Sequence, residues 1–157
     1  MTEQSPAIRP ARTEDLGALR ALLRTCDLPC EDLTREHLAH FLVVPADDGL
    51  RGSVGLEPRG EDALLRSLAV RPAARGEGLG GRLVAAVERR ARRAGLQALY
   101  LLTATAAPFF RDRGYVQVDR EALPAPLQRT EEASRLCPAS ATCMQKRLEE
   151  AAFPSFS

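Results

Sequence analysis

Apolar residues are spaced along this chain in two patterns that alternate and predict short strands and helices. Four leucines between positions 16 and 23 repeat at helical spacing after Thr13, a helix-capping residue type, and a second apolar helical face runs from Leu79 to Ala94. Short apolar runs bounded by turn-forming residues are typical of strands. The other predicted elements are strands at 7–9, 41–44, 52–57, 63–70, 98–102, 115–118 and 141–148 and helices at 31–40, 108–113 and 127–136. Strands mixed with helices indicate an α/β architecture.

Turn signals predict how these elements are connected. Asp47-Asp48-Gly49 joins strands 41–44 and 52–57 as a hairpin, and Gly95 stands where a helix ending at Ala94 needs a left-handed cap. No repeat or low-complexity linker divides the chain. We therefore expect one domain over 1–148, followed by a flexible C-terminal tail over 149–157.

Composition excludes several classes of function. The 157 residues, 45% of them hydrophobic, fit one globular core. A net charge of +1 and an aromatic content of 4% argue against the basic field and the stacking platform that nucleic-acid binding needs. No apolar run reaches the roughly 18 residues of a membrane span, and the N-terminus lacks a signal-peptide pattern. We expect a cytoplasmic protein that binds neither nucleic acid nor membrane.

The run from Arg75 to Gly81 is the most informative motif. It links the predicted strand 63–70 to the predicted helix 79–94, and a glycine-rich turn there exposes backbone N–H groups at the positive end of a helix dipole. A phosphate group is therefore the expected ligand. The run is not a P-loop, since Arg82-Leu83 replaces the Lys-Ser/Thr pair, and no acid ends strand 98–102 as a dinucleotide fingerprint requires.

A third pattern, Arg-x-x-Gly-x-Gly, is met by Arg75, Gly78 and Gly80. With the preceding Leu64-Leu65-Arg66-Ser67-Leu68-Ala69-Val70-Arg71-Pro72, it resembles the core motif of the GCN5-related N-acetyltransferase (GNAT) family, and the segment from Phe109-Phe110 to Gly114-Tyr115 is similar to a second motif of that fold. The resemblance implies an α/β fold with a mixed, mostly antiparallel sheet of about six or seven strands flanked by about four or five helices. It also implies acetyl-CoA as the acetyl donor.

A narrower resemblance carries a prediction about the acceptor. The phrases Leu-Leu-Arg-Ser-Leu-Ala-Val, Tyr-Leu-Leu-Thr-Ala-Thr-Ala-x-Pro-Phe-Phe and Leu-Cys-Pro-Ala-Ser-Ala are similar to arsenic-resistance N-acetyltransferases, and the second also resembles the acetyltransferase domain of N-acetylglutamate synthases. These resemblances imply transfer of acetyl to a small primary amine, either amino-acid-like or an amine-bearing organoarsenical, linked to arsenic resistance. The alternatives are a glutamate-type amino-acid N-acetyltransferase and a non-catalytic acyl-CoA-binding regulator. The family also implies a possible homodimer.

The resemblance assigns the cofactor contacts residue by residue. The backbone of 68–70 would hold the pantetheine, with the Val70 N–H directed at the acetyl oxygen as a catalytic group. Thr103 stands where the family often has an asparagine that contacts the pantetheine, and Phe110 where it often has a tyrosine acid, so the usual general acid is missing. The predicted cofactor-binding residues are Leu68, Ala69, Val70, Arg75, Gly76, Glu77, Gly78, Leu79, Gly80, Gly81 and Thr103. A bulged strand at 68–70 would open a slot for the cofactor.

Charged residues suggest the acceptor site. Glu57, at the end of a predicted strand, is the candidate catalytic base, acting through a water, with Glu61 as the second choice; a surface carboxylate is the alternative. Arg66 interrupts an apolar run, so it either binds an acceptor carboxylate or pairs with an acid such as Glu57. His37 is a candidate acceptor-binding residue.

Cysteine spacing does not predict a metal. Cys26-x3-Cys30 and Cys137-x5-Cys143 lack the spacing of zinc sites, and thiols in the cytosol are normally reduced. We therefore expect ordinary thiols and no metal cofactor.

Overall fold

The computed structural model describes residues 7–148. The strands are β1 Arg9–Pro10, β2 Phe41–Ala46, β3 Gly49–Arg59, β4 Asp62–Val70, β5 Ala98–Thr103, β6 Val116–Val118 and β7 Thr142–Arg147, and the α-helices are α1 Leu16–Thr25, α2 Leu79–Arg93, α3 Ala107–Arg111 and α4 Ala125–Gln128. Single 3₁₀ turns lie at Thr13–Asp15, His37–His40, Pro72–Ala74 and Arg120–Ala122, and a π-helical turn at Glu132–Leu136. The predicted tail, 149–157, lies outside the described residues.

The strands form one mixed sheet in the order β1-β2-β3-β4-β5-β7-β6. Strand β4 runs parallel to β5, whereas β1 with β2, β2 with β3, β5 with β7 and β6 with β7 are antiparallel. The predicted mixed, mostly antiparallel sheet of six or seven strands is therefore confirmed. None of the helices within 7–148 combines the length and hydrophobicity that a membrane-spanning helix requires.

The chain divides into two compact units, with boundaries after Leu56, Arg66 and Val87. The first unit holds the two segments before 57 and from 67 to 87, and the second holds 57–66 and the chain from 88 onward. The prediction of a single domain over 1–148 stays a prediction.

The first unit has an apolar core between α1 and the hairpin of β2 and β3. Leucines of α1 at helical spacing are fully enclosed in it, together with Phe41 and Val43 of β2. Two glycines allow close packing here. A Cβ on Gly55 would fall 2.3 Å from the ring of its cross-strand partner Phe41, and one on Gly52 would fall 3.0 Å from Leu83 of α2. Helix α2, which follows the glycine-rich run, therefore packs directly against β3.

Strand β4 is irregular at Ser67, whose φ of 60° lies in the left-handed region that non-glycine residues rarely adopt. The Ser67 carbonyl oxygen accepts a hydrogen bond of 2.8 Å from the buried hydroxyl of Ser53 on β3. The parallel pairs between β4 and β5 end at Leu64 with Tyr100. The predicted bulge at 68–70 directly follows this irregular residue and stays a prediction.

The second unit is built on β5, β7 and β6, and buried polar groups join its elements. Glu88 of α2 accepts hydrogen bonds from the Tyr115 hydroxyl at 2.8 Å and from Lys146 Nζ at 3.1 Å. Lys146, the single lysine of the chain, also donates to the Arg113 carbonyl at 2.8 Å. A separate apolar cluster lies between β5, β7 and the segment 123–133, with Tyr100 and Leu127 among its buried members.

One predicted helix is wrong, and a second is divided into two short helical turns. Over 31–40 the chain forms turns and only one 3₁₀ turn, because the Thr34 N–H donates to His37 Nδ1 instead of following a helical pattern. Over 127–136, Thr130 interrupts the helix: its hydroxyl donates to the Leu127 carbonyl and accepts from the Ala133 N–H. The hydrogen bonds of the His37 and Thr130 side chains thus fix the local backbone more strongly than the apolar spacing that predicts a regular helix.

Two element boundaries also differ, and a third feature is as predicted. Thr13 is not the cap of α1; it begins a 3₁₀ turn, and the Asp15 carboxylate accepts the Arg12 N–H at 2.7 Å. Strand β3 continues through Pro58 to Arg59 instead of ending at 57. Gly95 has the predicted left-handed conformation, with a φ of 82°, directly after α2.

The first prediction concerns the hydrogen bond from Ser53 to the Ser67 carbonyl of β4. We expect Ser53→Ala to lower the free energy of unfolding by about 1–3 kcal/mol, because the Ser67 carbonyl loses a buried donor that water cannot replace. Chemical denaturation measures the change, and Ser140→Ala, at an exposed serine, is the control. A loss no greater than that of the control would contradict this role for Ser53.

The second prediction concerns alkaline pH. Burial, and the negative charge of Glu88, raise the pKa of Tyr115 above its ordinary value of 10.0. The folded state therefore keeps this proton after the unfolded state has lost it, so the stabilisation is full below pH 10 and falls above it by about 1.4 kcal/mol per pH unit. Tyr115→Phe should remove that slope, whereas Tyr100→Phe should retain it. Unfolding free energies measured between pH 9 and 11 test this; equal slopes in both variants would refute it.

Candidate active site

The glycine-rich run lies where the sequence predicts it, after β4 and at the start of α2. Gly76 and Gly78 have φ values of 88° and 81°, a conformation that any other residue would adopt only with strain. Residues 75–78 are exposed, and Arg82 donates its N–H to the Gly78 carbonyl as α2 begins. The backbone N–H groups of the first helical turn, which have no partner within a helix, thus lie next to an exposed loop. This is the backbone arrangement that binds phosphate groups.

The end of β4 is fixed by its neighbours in the first unit. Ala69 is buried, while Leu68 and Val70 are half-buried. The N–H of Arg71, directly after β4, donates to the Arg51 carbonyl of β3 at 2.9 Å. The Val70 carbonyl accepts a hydrogen bond from Arg75 Nε, also at 2.9 Å. Both polar groups of the peptide bond that follows Val70 therefore have hydrogen-bond partners.

Arg75 itself turns back from the loop toward the strand. Besides its bond to Val70, the guanidinium donates through Nη2 to the sulfur of Cys26, at 3.4 Å. Cys26 lies at the C-terminal end of α1, and its thiol is 3.6 Å from the same Val70 carbonyl. Three groups from separate elements meet at the end of β4.

The second unit contains the predicted base Glu57 and the arginine Arg66, and brings them together. Arg66 Nη1 donates to Glu57 Oε1 at 3.0 Å, and the arginine side chain is completely enclosed. Its Nε lies 3.1 Å from Oε1 of Glu132, a buried residue of the π-helical turn. The other Glu57 oxygen accepts from Arg59 at 3.0 Å.

This buried network decides between the two predictions for Arg66. The predicted ion pair with Glu57 is confirmed, and the guanidinium is enclosed by protein carboxylates instead of facing an open site. Glu57 is not a surface carboxylate: its side chain is 6% exposed. Glu61, the second candidate base, lies exposed in the turn between β3 and β4.

Three other predicted residues have local structural contacts. The Thr103 hydroxyl accepts the Ala106 N–H at 2.9 Å just before α3, and His37 Nδ1 accepts the Thr34 N–H at 3.1 Å. Phe110, at the position of the family's usual acid, is buried and packs edge-to-face against Tyr115, with ring centroids 5.3 Å apart. Its position is therefore part of the core.

The sequence prediction missed two residues that complete these clusters. Glu132 falls in a stretch predicted as an ordinary helix, and nothing in its spacing links it to Arg66. The cysteine spacing predicts only an ordinary thiol at Cys26; the signal for its contact is its position after the apolar repeat of α1, where a helix ends. All four cysteines are free, and burial raises the pKa of the Cys143 thiol.

The ion network yields the third prediction. We expect Arg66→Met to lower the free energy of unfolding by about 3–5 kcal/mol, because it leaves two buried carboxylates without their shared cation. Arg59→Met is the matched control: it removes a cation from the same Glu57, but from a side chain that is 41% exposed, and should cost under about 1 kcal/mol. Chemical denaturation of both variants at neutral pH measures the difference. Similar losses in the two variants would contradict the buried network.

Comparison with known proteins identifies the fold. Among curated proteins, the chain is 32% identical over 131 residues to amino-acid acetyltransferases from Azotobacter vinelandii and Pseudomonas aeruginosa, matching 78% of this chain but 30% of each relative. The chain thus spans under a third of the length of these relatives.

Solved structures give the same result. N-acetylglutamate synthase from Neisseria gonorrhoeae, crystallised with coenzyme A and L-arginine, superposes with a TM-score of 0.77 and 25% identity over 94% of this chain and 34% of that protein. Rv2747 from Mycobacterium tuberculosis, in complex with CoA and NLQ, shares the fold at a TM-score of 0.74 and 23% identity, covering 92% of this chain and all of that one. The family model of the acetyltransferase (GNAT) domain matches residues 37–117. The chain belongs to the GNAT acetyltransferase family.

Proposed function

We propose that this chain is an acetyl-CoA-dependent N-acetyltransferase that acts on the primary amine of a small, amino-acid-like molecule. The observation that carries the proposal is the exposed loop at 75–78, with its left-handed glycines, next to the first turn of α2 in a chain of this family. Such a loop costs stability, since glycine at a helix start is less favourable than alanine by about 1 kcal/mol. A bound diphosphate explains why glycines are retained there.

The residues of the first unit suit the donor acetyl-CoA, which supplies an activated thioester. Backbone N–H groups of Gly76–Gly81 would bind its diphosphate, and the arginines at 75 and 82 add positive charge. The half-buried segment 68–70 would hydrogen-bond the pantetheine, with the Val70 N–H polarising the acetyl oxygen. Thr103 remains a proposed contact of the pantetheine.

On the acceptor side, Glu57 is our proposed base, taking the amine proton through a water. Both of its oxygens already accept hydrogen bonds from guanidinium groups, which fix the orientation of the carboxylate. Since Arg66 is enclosed, we propose that it acts through Glu57 as a positioning residue instead of binding the acceptor itself. His37 stays a candidate acceptor contact. No acid is proposed, because a thiolate is a tolerable leaving group at an ordinary thiol pKa of about 8.5.

The acceptor class rests on the relatives. The curated relatives at 32% identity are named amino-acid acetyltransferases, and a similar structure is named N-acetylglutamate synthase. These names favour an amino acid as the acceptor, with glutamate as the first compound to test. An amine-bearing organoarsenical is a finer proposal, which rests on the resemblance of Leu64–Val70 and its companion phrases alone.

A non-catalytic acyl-CoA-binding regulator is the competing hypothesis, favoured by Phe110 in place of the usual acid. Acetyl-CoA-dependent thiol release over a panel of amino acids, polyamines and amine-bearing arsenicals separates the two. Turnover with the amino acids supports the proposal. CoA binding by calorimetry without turnover on any amine would favour the regulator.

The fourth prediction tests the base. With the acceptor found in the panel, Glu57→Gln should lower kcat by about 100-fold or more, because the amine loses its proton acceptor. The affinity for CoA should stay within about twofold, since the loop that binds the diphosphate is unchanged. Steady-state kinetics and calorimetry measure the two quantities.

The matched control for the base is Glu61→Gln, at the exposed second candidate, which should retain kcat. Full activity of Glu57→Gln together with loss in Glu61→Gln would exchange the two assignments. Thermal denaturation of both variants separates loss of chemistry from loss of folded protein, because Glu57 also belongs to the buried ion network.

A further inference from the structure

The C-terminal end of α1 contacts Arg75, at the start of the glycine-rich loop, through the side chain of Cys26. The sulfur of Cys26 accepts a hydrogen bond from Arg75 Nη2 at 3.4 Å, although the two residues are 49 positions apart in the chain. The same thiol lies 3.6 Å from the Val70 carbonyl, which also accepts Arg75 Nε at 2.9 Å. The sulfur, the guanidinium and the carbonyl therefore form a closed triangle of contacts.

Cys26 is a rigid member of this triangle. Its N–H donates to the Leu22 and Leu23 carbonyls at 3.1 Å, and the Leu28 N–H returns to the Leu23 carbonyl at 2.9 Å. Between them, Asp27 has a φ of 59°, so the chain leaves the helix abruptly. The side chain of Cys26 also packs against the core of the first unit. Its sulfur thus has a fixed position set by α1 and the core.

Arg75, by contrast, is an exposed residue on a glycine-rich loop, where a long side chain would sample many rotamers. The triangle engages its Nε and Nη2 atoms. Within residues 7–148, no hydrogen bond engages Nη1. A guanidinium held by one edge presents its remaining N–H groups in a fixed direction, which suits a phosphate oxygen.

We propose that Cys26 is a positioning residue for the acyl-CoA diphosphate: its sulfur holds the Arg75 guanidinium so that Nη1 is oriented before the cofactor binds. The inference rests on the proposed function, since it names a further residue of the same cofactor site. Binding is favoured because the rotamer freedom of Arg75 is already restricted in the free protein. The thiol itself forms no bond to the cofactor and undergoes no chemistry.

The fifth prediction is tested by calorimetric titration of CoA into four proteins: the unmodified chain, Cys26→Ala, Cys26→Ser and Cys137→Ala. Cys26→Ala should weaken CoA binding about fivefold, the loss expected for one orienting hydrogen bond. Cys26→Ser, which keeps an acceptor, should stay within about twofold. Cys137→Ala, at another half-buried thiol, should bind like the unmodified chain. Normal CoA affinity in Cys26→Ala would overturn the proposal.

Two further measurements separate positioning from a general structural role. In the background of Arg75→Ala, Cys26→Ala should cause no additional loss of CoA affinity, because the two act as one unit. Pantetheine, which lacks the diphosphate, should bind Cys26→Ala and the unmodified chain equally in a displacement titration. Additive losses, or equal weakening of CoA and pantetheine, would overturn the positioning role. Failure of the unmodified chain to bind CoA would overturn the proposed function together with this inference.

Discussion

The left-handed conformation of Ser67 in β4 is the backbone constraint that lies between the two clusters of candidate site residues along the chain. Its φ is 60°, and its carbonyl accepts a hydrogen bond from the buried Ser53 hydroxyl. Directly before it, Arg66 belongs to a buried ion network; after it, the chain leads through Val70 into the glycine loop. One irregular residue thus separates the segment that holds the ion network from the segment that leads into the loop.

Buried charge in the second unit is arranged in two clusters of three groups, and each cluster includes a residue from a distant part of the chain. Arg66 lies between Glu57 and Glu132, and Glu88 between Tyr115 and Lys146. Isolated buried charges are costly, so each of these groups is tolerated only with its partner in place. These networks specify where the segments after β5 pack, and they hold the Glu57 carboxylate in one orientation.

The candidate site residues of the first unit are mainly backbone groups, whereas those of the second unit are charged side chains. Exposed left-handed glycines shape the loop at 75–78, and the start of α2 adds N–H groups, so the diphosphate that we propose to bind there would meet mainly main-chain atoms. Side chains support this arrangement from outside: Arg75 and Cys26 both contact the Val70 carbonyl. In our proposal these features would bind and polarise the donor, and that step needs no proton-transferring side chain at the position of Phe110.

The sequence alone indicated the strand segments along the chain, the glycine loop and the resemblance to the family, because apolar periodicity and glycine spacing are local signals. The pairing of Arg66 with Glu57 was one of two sequence alternatives, since a charge in an apolar run needs a partner. The tertiary structure alone decided that Glu132 and Cys26 complete the two clusters, because these contacts join residues far apart in the chain. It also decided that 31–40 and 127–136 are not regular helices, since the His37 and Thr130 side chains accept backbone N–H groups there and these bonds outweigh apolar spacing.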